Sequence, residues 1–173
     1  MSFCLELDIV IHRPERRKRF GKMINSEAKN MEFLPTSYVV DYVSNNKKPL
    51  TELGEFVYAR TYSRWLNGQG RREHWHETVK RAIEYNMALS FSHVRKLGFT
   101  PDLKGMRDEA KELFENIYNT KQFPSGRTLW LGNGNEKINK DFTLGNFNCS
   151  FLNIENWDDL SELFYLLMVG KLI

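Results

Sequence analysis

Cysteine is scarce in this chain. Cys4 and Cys149 are the only two in 173 residues, too few for a disulfide framework, so reduced thiols in a cytoplasm are expected. No run reaches the roughly 20 apolar residues that a membrane span requires. The opening MSFCLELDIVI does not read as a secretion signal. Glu6 and Asp8 interrupt it, and the basic cluster follows it instead of leading it. A strong charge imbalance is missing too. Lys and Arg number 25 against 22 Asp and Glu, a formal net charge of +3, too mild to require a nucleic-acid partner. What is present is core-forming material, with 41% hydrophobic and 13% aromatic residues. A soluble cytoplasmic protein of one sizeable domain or two small ones is expected.

Residues 1–31 differ from the rest. HRPERRKRF is basic and NSEAKN is polar. Such a cluster can contact nucleic acid, but too few aromatics are interleaved to stack bases. A solvated, flexible extension is the expected reading, and nucleic acid an unlikely partner.

From Phe33 the pattern becomes regular. FLPTSYVVDYV reads as a short apolar helix or turn. Thr51 can cap a helix running to about Leu66, with Leu50 packing back on its first turn. NGQG then breaks the chain, and the two flanking helices suggest a helical hairpin. A long helix follows from about Arg72 to Leu97, with Trp75, Val79, Ala82, Ile83, Met87, Val94 and Leu97 near helical spacing. Glu77 and Arg81 stand four apart as a supporting pair, and Gly98 supplies the stop. Thr100-Pro101 opens the next helix, whose stripe is Ala110, Leu113, Phe114, Ile117 and Tyr118. FPSGRTLWLGNGN is turn-rich and carries no stripe.

The C-terminal stretch changes character again. FNCSFLNI is apolar on both faces, as expected of a strand buried in a parallel sheet. Asn156 caps a helix, DDLSELFYLLMVG, whose aspartates suit its positive end and whose apolar surface nearly all round requires burial. Strand then helix is the first half of a β-α-β unit. A parallel strand needs a neighbour, and the chain reads KLI before one appears. The sequence therefore looks like the front of a larger α/β protein.

Individual residues have plain readings. His74 and His76, two apart on a helix, point to different faces, unlike zinc ligands at spacings of three or four. LGNGN lacks the lysine of a phosphate-binding loop. Ser125 and Gly126 could offer a hydroxyl and backbone N–H groups to a phosphate, although alone the segment reads as a turn. Cys149, taken alone, is a small buried hydrophobe.

Four stretches change that reading. RTYSR, GRRE, PSGR-LW and NCSF stand in this order between Arg60 and Phe151. With them, about Glu32 to Gly170 resembles the adenosylcobalamin-dependent ribonucleoside-triphosphate reductases, the class II ribonucleotide reductases. The resemblance implies a mainly α N-terminal domain followed by the first β-α unit of a ten-stranded α/β barrel. It implies adenosylcobalamin as cofactor, a ribonucleotide as substrate and a thiol reductant. It makes Cys149, in NCSF, one of the redox-active thiols that reduce the ribose and end as a disulfide. Ser125 and Asn148 carry over as substrate-binding residues.

The expected organisation is a basic extension over 1–31, a helical domain over 32–145, and the first strand and helix of a barrel over 146–173. The radical cysteine, the second reducing cysteine and most of the cobalamin site have no counterpart here. The chain is thus expected to share in ribonucleotide reduction when another polypeptide supplies the remainder. The alternative is a non-catalytic helical fragment that binds a reductase partner.

Overall fold

The computed structural model describes residue 28, residues 31–132 and residues 152–168. Two compact units divide the chain: residues 24–134 form one, and residues 1–23 with 135–173 the other.

The first unit is organised around its longest helix. In chain order the elements are α1 (Thr36–Asn45), α2 (Glu52–Thr61), β1 (Trp65–Leu66), β2 (Arg71–Arg72), α3 (Trp75–Lys96), α4 (Leu103–Tyr118) and α5 (Gly126–Leu131). Helices α1, α4 and α5 all pack on α3. The stripe expected on α3 is buried at Trp75, Val79, Ala82, Ile83 and Met87, but it continues through Ala88 and Phe91. Leu97 is exposed, because the helix ends at Lys96 and the last turn overhangs the core. On α4 the stripe is as expected: Ala110, Phe114, Ile117 and Tyr118 are buried and Leu113 packs against them. Phe114 meets Tyr38, Tyr42 and Tyr118 with ring centroids 5.6–6.4 Å apart, so aromatic pairing joins α1 to α4. Trp75 donates its indole N–H to the Tyr118 carbonyl at 3.0 Å, which satisfies the one polar atom it buries.

Helix ends follow local chemistry. Thr51 Oγ1 accepts from Gly54 N at 3.1 Å, as expected. The start of α4 differs from expectation. Its cap is Asp102, whose Oδ1 accepts from Lys104 N and Gly105 N at 3.1 Å each. A short carboxylate next to the first turn displaces Thr100 from that role. After α3, Gly98 has φ +86. Phe99 N donates to Val94 O and Gly98 N to Arg95 O, the paired bonds that close a helix through a left-handed residue. After α4 the same pattern recurs with Thr120, at φ 59, where glycine would be favoured.

Three further expectations are corrected. Helix α2 stops at Thr61 rather than Leu66, because the following residues leave the helix to pair with 71–73. Trp65 faces Arg72 and Leu66 faces Arg71 in an antiparallel register. NGQG is therefore the loop of a β-hairpin, with Gly70 at φ +62, and no helical hairpin forms there. The PSGR segment is not only a turn, since α5 begins at Gly126. Six residues are too few to show a stripe.

In the second unit, α6 (Trp157–Met168) is described. Asn156 caps it, its Oδ1 accepting from Asp158 N and Asp159 N. Asp159 Oδ2 in turn accepts from Asn156 N at 3.0 Å, a reciprocal capping box. Asp159 and Leu166 are buried, while Phe164, Leu167 and Met168 are exposed. A helix buries only the stripe that has a neighbour. Of the strand expected before it, residues 147–151 lie outside the described residues, and residues 152–154 are irregular. No described helix is long and apolar enough to cross a membrane.

Thr120 provides a stability test. A β-branched residue in the left-handed region is strained, so Thr120→Gly should stabilise the chain by about 1 kcal/mol. Chemical denaturation would read this as a higher midpoint with unchanged slope.

Candidate functional site

Three of the four motifs converge on one polar cluster. RTYSR ends α2 and leads into β1, GRRE spans β2 and its exit, and PSGR-LW forms α5. The cluster's centre is Glu73, the last residue of GRRE, which is 7% exposed. Arg81, two turns into α3, grips it with two nitrogens: Nε to Oε1 at 2.8 Å and Nη2 to Oε2 at 2.9 Å. Thr78 Oγ1 donates to Oε2 at 2.8 Å. The Glu73 carbonyl accepts from Tyr58 OH at 3.0 Å and Ser63 Oγ at 2.8 Å. Its N–H donates to Arg64 O at 2.8 Å, extending the hairpin by one rung. Every polar atom of this buried residue is satisfied, as an ion pair inside a core requires.

The expected pair Glu77–Arg81 does not form. Arg81 turns to the buried Glu73, where fewer waters compete. Glu77 instead takes a two-pronged bond from Arg71, at 2.7 Å on each oxygen, and accepts from His74 N at 2.6 Å.

The arginines also hold α5. Arg81 Nη2 donates to Leu129 O at 2.9 Å and Nη1 to Gly132 O at 2.6 Å. Arg64 Nε donates to Trp130 O at 2.6 Å, and its Nη2 reaches the same oxygen. The last carbonyls of a helix have no partner within it, and two guanidiniums supply partners where the helix end is negative. At Gly132 a Cβ would stand 2.5 Å from Thr128 O and 3.2 Å from Tyr85, so only glycine allows this close exit. At the other end of α5, a Cβ on Gly126 would stand 3.1 Å from the Tyr62 hydroxyl. Ser125 caps α5, its Oγ accepting from Arg127 N at 3.3 Å, and is otherwise exposed.

Electrostatics follow from packing. Burial, and then the charge of Arg81, push Arg64 down to about 10. Burial pushes the Glu73 carboxyl up, but the bonds from Arg81 and Thr78 outweigh it and hold the group below its ordinary range. Hydrogen bonding from Arg71 brings Glu77 down to about 2. His76 is pushed down chiefly by its burial.

The cluster contains no nucleophile and no proton acceptor left open. It can hold backbone, not transform a substrate. Of the residues expected to act, Ser125 lies at the edge of this cluster, whereas Cys149 and Asn148 lie outside the described residues. The histidines differ from expectation: their rings stack with centroids 5.7 Å apart, because His74 precedes the helix and is free to turn toward His76. Among the described residues no group of three or more His, Cys, Asp or Glu could hold a metal ion. Glu73, Arg64 and Arg81 were not expected as a unit. A signal was present in the four arginines of RTYSR and GRRE, none of which has an acid one helical turn away.

The model of the ribonucleotide reductase alpha domain matches residues 34–134. The adenosylcobalamin-dependent ribonucleoside-triphosphate reductase of Lactobacillus gasseri is 41% identical over 122 residues, covering 66% of this chain and 16% of that protein. The enzyme of the same name from Lacticaseibacillus paracasei is 38% identical over 112 residues, covering 62% of this chain and 15% of that protein. A crystal structure of a B-12 dependent (class II) ribonucleotide reductase matches with a TM-score of 0.51 and 33% identity, over 59% of this chain and 14% of that one. The chain thus spans about a sixth of the length of these relatives.

Two measurements test the cluster. Replacing Arg81 by Met leaves a buried carboxylate unpaired and should cost about 3–5 kcal/mol, read by denaturation. Glu73 and Glu77 are held below their ordinary value of 4.5, so the unfolded chain takes up protons first on acidification. Their stabilisation is full above about pH 5 and should be lost as pH falls through 4.5 toward 2. Glu77→Gln should flatten this acid limb in thermal melts taken across that window.

Proposed function

The chain belongs to the ribonucleotide reductase family, and from that premise we propose that it serves as the N-terminal part of an adenosylcobalamin-dependent ribonucleoside-triphosphate reductase. The observation that carries the reading is the joining of RTYSR, GRRE and PSGR-LW through Glu73, Arg64 and Arg81. Motifs that lie up to 70 residues apart in sequence (Arg60 to Trp130) form one physical unit, and the family match over 34–134 covers that unit.

In this reading the helical region precedes an α/β barrel of ten strands. The stretch 146–173 would supply its first strand and helix, the helix being α6. Cys149 is then one of two reducing thiols, the other lying further along a complete enzyme. The two thiols give up two hydrogens and become a disulfide. The ribose loses its 2′-hydroxyl as water and gains hydrogen at that carbon. A thiol reductant then restores the pair. A rigid strand suits such a thiol, since the reacting atoms must be held closely. Ser125, with an exposed hydroxyl on the turn before α5, and Asn148 contact the ribonucleotide. Adenosylcobalamin supplies radical chemistry when bound to the rest of the enzyme. The compartment is the cytoplasm, where free thiols persist.

The test is a joined enzyme, in which this chain precedes the part of the Lactobacillus gasseri relative that lies beyond its matching stretch. The 173-residue chain alone should show no turnover with adenosylcobalamin and a dithiol. The joined enzyme should reduce ribonucleoside triphosphates. Cys149→Ser in it should abolish multiple turnover while cobalamin cleavage survives, and Cys4→Ser should change neither. Normal turnover by Cys149→Ser would remove the thiol from its assigned role.

A further inference from the structure

We infer that Tyr62, Arg64 and Arg81 are positioning residues for the Ser125–Gly126 turn, an inference that rests on the proposal that this turn contacts the ribonucleotide. Helix α5 has six residues, and isolated helices below about 12 residues are marginal in water. Its place is therefore set by what grips it, and the grips sit at its two ends. At the C-terminal end, Arg64 and Arg81 donate to the carbonyls of Leu129, Trp130 and Gly132. At the N-terminal end, Gly126 lies against the Tyr62 ring, with a Cβ there standing 3.1 Å from the hydroxyl and 3.3 Å from Cε1.

A helix is stiff over one and a half turns. Displacement at the arginine end is passed to Ser125, roughly 8 Å away at 1.5 Å per residue. The Ser125 hydroxyl accepts from Arg127 N. That uses a lone pair and leaves its hydrogen to be donated to a ligand. Tyr62 and Arg64 both come from RTYSR. That motif is thereby a holder for PSGR, and neither side chain needs to touch the substrate.

The joined enzyme tests this through steady-state kinetics with a ribonucleoside triphosphate. A lysine in place of Arg64 keeps the charge but loses the second donor to Trp130 O. Arg64→Lys should raise KM about tenfold with kcat within about threefold, a loss expected of a sub-ångström misplacement. Gly126→Ala should do the same by pressing on Tyr62. Adding Tyr62→Phe to Gly126→Ala removes the nearest clashing atom and should restore most of KM. Thermal midpoints of these variants should stay within a few degrees of the parent.

Unchanged KM in both single variants would overturn the inference, as would a KM rise that Tyr62→Phe does not relieve. Loss of activity only in step with lost thermal stability would also overturn it. An inactive parent enzyme would count against the functional reading and leave a separate readout. In the 173-residue chain, Arg64→Lys should speed hydrogen exchange of residues 126–132 about tenfold and leave α4 unaffected. Unaltered exchange there would sink the positioning role by itself.

Discussion

The structure depends on the buried pair of Glu73 and Arg81. A carboxylate in a core is costly unless its lone pairs are filled, and here Arg81, Thr78 and a backbone N–H fill them. An arginine in a core needs acceptors for its remaining donors, and α5 provides carbonyls. The two demands meet only if the hairpin, α3 and α5 are brought together. The hairpin is short and α5 is only six residues long. Both are held to α3 through this arrangement.

Around this polar centre the apolar core is conventional. Phe33, Leu34, Val79, Ile83 and Phe114 are fully buried, and α1, α3 and α4 share them. Lys80 and Glu84 serve the approach of the chain to α1. Glu84 accepts from Phe33 N and Leu34 N, and Lys80 donates to Leu34 O. Charged side chains of α3 thus satisfy backbone on both sides: Glu84 and Lys80 toward residues 33–34, Arg81 toward 129–132. A single helix serves as the hydrogen-bonding spine for two irregular segments.

The same arrangement would suit the proposed place of this region in a reductase. Described residues 31–132 form a hydrogen-bonded scaffold with no open reactive group in its polar cluster. The proposed reactive thiol lies beyond it in sequence. In the proposed reductase such a scaffold would hold segments still, as the arginine grip on α5 does.

Much of this was legible in the sequence. The stripes of α3 and α4, the caps Thr51 and Asn156 and the stop at Gly98 depend on residues within a turn of one another, so periodicity and local chemistry reveal them. The order of RTYSR, GRRE, PSGR-LW and NCSF was enough to point to the family. The early end of α2, the hairpin at NGQG, helix α5 and the partner of Arg81 were decided by tertiary structure. Each is set by groups distant in sequence: Arg64 by Trp130, Arg81 by Glu73 and Gly132, Gly126 by Tyr62. Local propensity amounts to tenths of a kcal/mol per residue, whereas an unpaired buried charge costs several. Where the two compete, the buried charge wins, and its partner is visible only once the chain has folded.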